Sequence, residues 1–248
     1  MAGRLNGKTA IVTGGGSGFG AGIAEAFAKE GARVMVADIN GDGAENIALN
    51  INGIAHQVDV ADPKSVEAMA DAAYTSFGDV DILVNNAGVT HQSGALEDVS
   101  ENEFDHVMAV NNKAIFLAAK TFIPAMKKAQ KGVILNVAST AGVSPRPNLS
   151  WYNASKGWAI TATKAMAVEL APFGVRVNAI NPVAGETPLL ASFMGEDTPE
   201  MRAKFLSTIP LGRFSQPEDM GHAAVFLCSD EASMITGVAL EVDGGRCI

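Results

Sequence analysis

Hydrophobic positions fall along the chain in short blocks of two kinds. Apolar runs rich in Val and Ile lie near Thr9–Thr13, Arg33–Asp38, Ala55–Asp59, Ile82–Asn85, Val133–Ser139, Arg176–Asn181 and Val238–Val242. The first six each lead into a longer stretch of helical periodicity or helix-forming residues. Continuous apolar runs of this length predict strands buried on both faces, which is the habit of parallel sheets covered by helices. Alternating β and α with right-handed crossovers predicts an α/β, doubly wound, seven-stranded parallel sheet with helices on both faces. Ligands of such sheets bind beyond the carboxyl ends of the strands, where strand order reverses.

Two helical stretches, Phe104–Met126 and Trp151–Ala171, are apolar or small on nearly every side. One side covers the sheet, so the other predicts a partner subunit. The segment 184–211 breaks the rhythm with Gly185, Pro188, Gly195, Pro199 and Pro210 among Leu189, Leu190, Phe193 and Met194. It is longer than an ordinary connection. It reads as a lid over a pocket, or else as a helical hairpin that completes the core.

Composition removes several classes. The net charge of −9 lacks the basic footprint of a nucleic-acid binder. No run reaches the roughly 18 apolar residues of a membrane span. Hydrophobic residues at 48% and charged ones at 18% are the reverse of the balance found in disordered chains. Cys228 and Cys247 have no metal-ligand or disulfide spacing, and the four histidines none either. Two lone thiols and the short polar start predict a cytoplasmic protein.

The candidate chemistry sits at predicted strand ends. After the first strand comes Thr13-Gly14-Gly15-Gly16-Ser17-Gly18-Phe19-Gly20, then a helix. Glycines let a backbone approach a pyrophosphate, and a helix N-terminus offers it N–H donors. The second strand ends at Asp38, 24 residues after Gly14. An acid there accepts from a ribose diol and repels the 2′-phosphate of NADP; the neighbouring Ile39 and Asn40 bring no cation. The alternative is that Asp38 caps the next helix. Tyr152 and Lys156 stand at i and i+4, on one helix face. A neighbouring ammonium favours the phenolate and predicts a lowered Tyr152 pKa.

Together these motifs resemble the short-chain dehydrogenase/reductase family over nearly the whole chain. The turn from Thr13 to Gly20 matches TGxxxGxG. Asn85-Asn86-Ala87-Gly88 matches NNAG, and Tyr152-Asn153-Ala154-Ser155-Lys156 matches YxxxK, with Ser139 placed 13 residues before Tyr152. The resemblance implies a single-domain Rossmann fold over residues 1–248 that binds NAD and forms a homotetramer. It implies Tyr152 as general acid/base, Lys156 lowering its pKa and binding the nicotinamide ribose, and Ser139 positioning the substrate oxygen. Asn111 would hold a water that links Lys156 to solvent. Gly14, Ser17, Gly18, Phe19, Gly20, Asp38, Ile39, Asp59, Val60, Asn86, Ala87, Gly88, Pro182 and Thr187 would contact the dinucleotide. Three positions depart from the family's habit: Ala114 and Val183 replace glycines, and Ala138 replaces a serine.

The last third also resembles a bacterial subgroup that includes a formylbenzenesulfonate dehydrogenase and members labelled 3-oxoacyl-carrier-protein reductases. His91, Thr140, Trp151, Glu186 and Leu190, with Val143, Asn148 and Phe193, are expected around the substrate. The expected activity is hydride transfer between NAD and a small alcohol or ketone. The alternatives are a 3-oxoacyl-thioester reductase and a dinucleotide-sensing module without turnover.

Overall fold

A computed structural model describes residues 3–195 and 197–248; Glu196, inside the expected lid, lies outside them. The strands are β1 (Thr9–Thr13), β2 (Arg33–Asp38), β3 (Ile54–Gln57), β4 (Ile82–Asn85), β5 (Gly132–Val137), β6 (Val175–Pro182) and β7 (Ala239–Val242). They form a parallel sheet in the order β3-β2-β1-β4-β5-β6-β7. Strand order reverses between β1 and β4.

Alternate residues of each strand feed different cores, which explains the unbroken apolar runs. Ala10 and Val12, Val34 and Val36, and Ile82 and Val84 pack on one face. There they meet α1 (Gly18–Lys29), α2 (Gly41–Ile51) and α9 (Pro217–Cys228) through Ile23, Phe27, Ala44, Met220 and Ala224. Ile11, Met35 and Leu83 face the other way. They pack on α3 (Pro63–Phe77), α5 (Ala114–Ala129) and α6 (Ser150–Leu170) through Met69, Phe122 and Leu170.

The stretch expected as one helix, Phe104–Met126, is divided. It comprises α4 (Glu101–Met108), a π-helical turn at Ala109–Lys113, and α5. Hydropathy does not register one wider turn, whereas Asn111 and Asn112 within it bond outside their own helix. The segment 184–211 holds α7 (Leu190–Met194) and α8 (Pro199–Leu206). These close on an apolar cluster of their own, with Val183, Leu190, Met194, Ile209 and Phe214 buried. Val183, where the family usually has glycine, thus uses its side chain to root this segment. Among the described residues, no helix is long and apolar enough to cross a membrane.

Candidate active site

A cavity of about 500 Å³ opens at the carboxyl ends of the strands, over the reversal between β1 and β4. At one end it is walled by Gly14, Ser17, Gly18 and Phe19 from the turn between β1 and α1. Gly14 has φ +61°, and a Cβ on it would lie 2.8 Å from the Ala87 Cα. Gly20 is fixed by close approach, since a Cβ there would overlap the Gly14 carbonyl. Gly20 does not reach the cavity; its smallness lets α1 start against the turn.

The turn is braced from β4. The Thr13 hydroxyl donates to the Val84 carbonyl at 3.1 Å and accepts from the Asn86 and Ala87 N–H groups at 3.0 and 3.2 Å. The Asn86 amide donates to the Thr13 and Gly14 carbonyls, both at 2.9 Å. Asn86 therefore borders the cavity while its side chain holds the turn. Ser17, the N-cap of α1, makes no side-chain capping bond, and the first turn of α1 carries no acid. Its hydroxyl and the orphan N–H groups of the helix start are what a pyrophosphate needs.

Asp38 ends β2 on the cavity wall. One carboxylate oxygen accepts from the Gly16 N–H at 2.9 Å, and the other from the Asn40 N–H at 2.9 Å. The helix-cap alternative fails, because Asn40 caps α2 by accepting from the Gly43 N–H. Ile39, Asp59 and Val60 complete this end, and Ala87, Gly88, Pro182 and Thr187 line the middle. Glycine turn, free cap, Asp38 and a channel continuous with them fit a dinucleotide.

Tyr152, Ser139, Thr140 and Lys156 wall the far end. Ser139 follows β5 in extended conformation, and its hydroxyl accepts from the Ala141 N–H at 3.0 Å. Lys156 donates to the Val137 carbonyl at 3.0 Å, with its Nζ 5.8 Å from the Tyr152 ring centroid. Burial pushes the Tyr152 phenol up to about 12, offset in part by the Ser139 hydroxyl. Burial likewise brings the Lys156 ammonium down to about 8. Burial thus moves the Tyr152 phenol upward, against the lowering expected of a neighbouring ammonium.

The helix carrying Tyr152 and Lys156 is tied by buried polar groups. The Asn111 amide donates to the Ser155 hydroxyl at 2.9 Å and the Val89 carbonyl at 3.0 Å, while its oxygen accepts from the Val89 N–H at 2.9 Å. Asn112 donates to the Ser155 carbonyl at 2.8 Å, and the Ser155 hydroxyl donates to the Tyr152 carbonyl at 2.7 Å. These side-chain bonds of Asn111 tie α6 to the π turn. A second chain runs from Asn85 to Asn136 at 2.8 Å and on to Thr163 at 2.9 Å. Sequence reading missed this rung, though paired asparagines at the same register of two buried strands are its signal.

Several expected substrate residues lie elsewhere. His91, expected beside the substrate, is buried; its Nδ1 donates to the Gln92 carbonyl at 2.7 Å, and it does not line the cavity. Trp151 turns away, its indole N–H bonding the Leu96 carbonyl at 3.2 Å and its ring meeting Phe104 edge-on. The Glu186 carboxylate pairs with Arg202 at 2.9 Å. Leu190 is buried in the α7–α8 cluster, and the adjacent Leu189 faces the cavity. Val143 is exposed, and neither it nor Asn148 borders the cavity. Thr140 and Phe193 do, Phe193 lying 5.2 Å from Tyr152 between ring centroids. Arg146, Leu149 and Phe205 line it without having been anticipated. An arginine between Pro145 and Pro147 just ahead of Tyr152, in a chain poor in cations, was the available sign.

A family profile described as enoyl-(acyl carrier protein) reductase matches residues 14–246. The chain is 49% identical to 4-formylbenzenesulfonate dehydrogenase of Comamonas testosteroni, over 98% of this chain and 99% of that one. This chain belongs to the short-chain dehydrogenase/reductase family. It is also 42% identical to D-threitol dehydrogenase of Mycolicibacterium smegmatis, covering 99% and 95% of the two chains. The crystal structure of a 3-ketoacyl-(acyl-carrier-protein) reductase from Brucella melitensis complexed with NADH superposes with TM-score 0.93 at 51% identity, over 98% of this chain and 100% of that one. As a family member the chain is an oxidoreductase of alcohol and carbonyl groups that uses a nicotinamide dinucleotide.

Proposed function

We propose that this enzyme interconverts a small alcohol and its carbonyl with NAD as the preferred cofactor, and that Tyr152 exchanges the proton. One observation carries the reading: a single cavity joins the glycine turn and Asp38 to Ser139, Tyr152 and Lys156. The bound nicotinamide supplies the hydride acceptor or donor. Ser139 and the Tyr152 hydroxyl hold the substrate oxygen. A phenol near 12 keeps its proton at neutral pH, so Tyr152 is ready to protonate an oxygen during carbonyl reduction. In the oxidative direction Tyr152 must first lose that proton, and the Lys156 ammonium is the cation beside it that favours the phenolate. Lys156 also faces the channel where the ribose of a nicotinamide would lie. Val89, fixed by Asn111, and Phe193, above Tyr152, keep this end apolar.

The preference for NAD rests on charge. Asp38 lines the ribose end, where Ile39, Val58, Asp59 and Val60 add no cation. A 2′-phosphate there would meet a carboxylate with nothing to neutralise it. The segment with α7 and α8 serves as the substrate lid, since Leu189, Phe193 and Phe205 reach the cavity from it. Exposed Phe116 on α5, with Trp158 and Val168 on α6, supports a homotetramer built on these helices. A cytoplasmic location agrees with two free cysteines.

A second reading, reduction of a 3-oxoacyl thioester, is favoured by the likeness to the Brucella structure. Steady-state rates with benzyl alcohol, threitol and acetoacetyl thioester, each with both cofactors, separate the two. Tyr152→Phe is expected to lower kcat by about 10²–10⁴ while NADH binding persists. Unchanged turnover in that variant would remove Tyr152 from the chemistry.

A further inference from the structure

Arg146 takes no part in the proton chemistry, yet it stands on the wall of the same cavity as Ser139 and Tyr152. Its main chain is fixed beside them, because the Asn153 amide, one residue past Tyr152, donates to the Arg146 carbonyl at 2.7 Å. Its guanidinium lies over the Phe205 ring of α8, 4.5 Å from the centroid, and donates to the Thr208 hydroxyl at 3.3 Å. Stacking on one face leaves the edge of a planar fork free for a bidentate acceptor.

No carboxylate among the described residues pairs with it. Burial lowers the Arg146 pKa, and the charge of Arg246 lowers it further. Arg246 donates to the Ser144 hydroxyl at 3.2 Å, and its Nε is buried without a partner. The nearby Asp243 carboxylate is engaged with the Gly245 and Cys247 N–H groups. A partly desolvated guanidinium with no carboxylate partner costs free energy, and it does so in a chain with net charge −9. An anion in the cavity beside Arg146 offsets that cost.

We propose that the substrate carries a carboxylate or sulfonate remote from its reacting oxygen, and that Arg146 binds this group. The proposal rests on the alcohol/carbonyl reading above. It makes Arg146 a specificity residue, at the end of the cavity where Phe205 and Thr208 bring the lid against it.

The test compares benzyl alcohol, 4-(hydroxymethyl)benzoate and 4-(hydroxymethyl)benzenesulfonate, with NAD⁺ and with NADP⁺, on the wild type, Arg146→Gln and Arg146→Lys. The wild type is expected to favour one or both anions over benzyl alcohol at least tenfold in kcat/KM, mainly through KM. Arg146→Gln should erase that ratio and Arg146→Lys should keep part of it. The carboxylate and sulfonate arms show which anion is read. A wild type with no preference for either anion, or a glutamine variant that retains the preference, overturns the proposal. If none of the alcohols is oxidised with either cofactor while NADH still binds, the substrate reading fails separately. Calorimetric titration of benzoate and benzenesulfonate onto the NADH-loaded protein then decides: affinity reduced at least tenfold in Arg146→Gln supports an anion site, and equal or absent binding refutes it.

Discussion

Lys156 should cost the fold stability at neutral pH, and replacing it with methionine exposes that cost. Burial brings its pKa from 10.5 to about 8. At about 1.4 kcal/mol per tenfold change, holding the ammonium charged inside the protein at pH 7 costs on the order of 3 kcal/mol. Methionine has similar length and no charge. Its introduction also takes away the donor of the Val137 carbonyl, now bonded at 3.0 Å, at a loss of about 1–2 kcal/mol. The net expectation is a stabilisation of about 1–2 kcal/mol, or roughly 2–8 °C in Tm for a chain of this size. The sign of the pH dependence follows from the lowered folded-state value. Below pH 8 both states hold the proton and the wild type bears the full cost. Between pH 8 and 10.5 the unfolded chain binds the extra proton, so wild-type stability rises and the advantage of the variant fades. Urea unfolding of both cofactor-free proteins at equal concentration, at pH 7 and pH 9.5, measures this. A variant less stable than the wild type at pH 7, or a difference that does not change with pH, would refute the reasoning.

Exchanging Asp38 for serine together with Ile39 for arginine should move cofactor preference from NAD toward NADP by about 10–10³-fold, the range of removing one close charge and adding another; fluorescence titration with NADH and NADPH reads it. Gly20→Ala should weaken NADH binding and lower Tm together, because its Cβ would overlap the Gly14 carbonyl and push α1 off the turn. Asn136→Leu should destabilise by on the order of 1–3 kcal/mol in denaturant melts, since it leaves the buried Asn85 amide without its acceptor, while Thr163 keeps its bond to the Ala159 carbonyl. A change under 0.5 kcal/mol there would show that the polar rung is dispensable.

Much of the fold was legible in the chain because strand burial on two faces leaves a local mark. Val-rich runs such as Arg33–Asp38 need no distant information to be read as strands, and the observed β2 has those bounds. The glycine-rich turn after β1 and the Tyr152–Lys156 pair are also local in sequence, so their positions were fixed by spacing. Tertiary structure decided what depends on residues far apart. The π turn at Asn111 follows from bonds to Val89 and Ser155, which no periodicity encodes. His91, Trp151 and Glu186 lie near strand ends or in the expected lid and were expected around the substrate. Each instead turned to a hydrogen-bond or ion-pair partner away from the cavity, because a buried or half-buried polar group goes where its bond is made. The i to i+4 spacing places an ammonium near Tyr152, whereas the burial that raises its phenol is set by the whole fold. The seating of Arg146 against Phe205 and Thr208, far later in the chain, is likewise the work of packing.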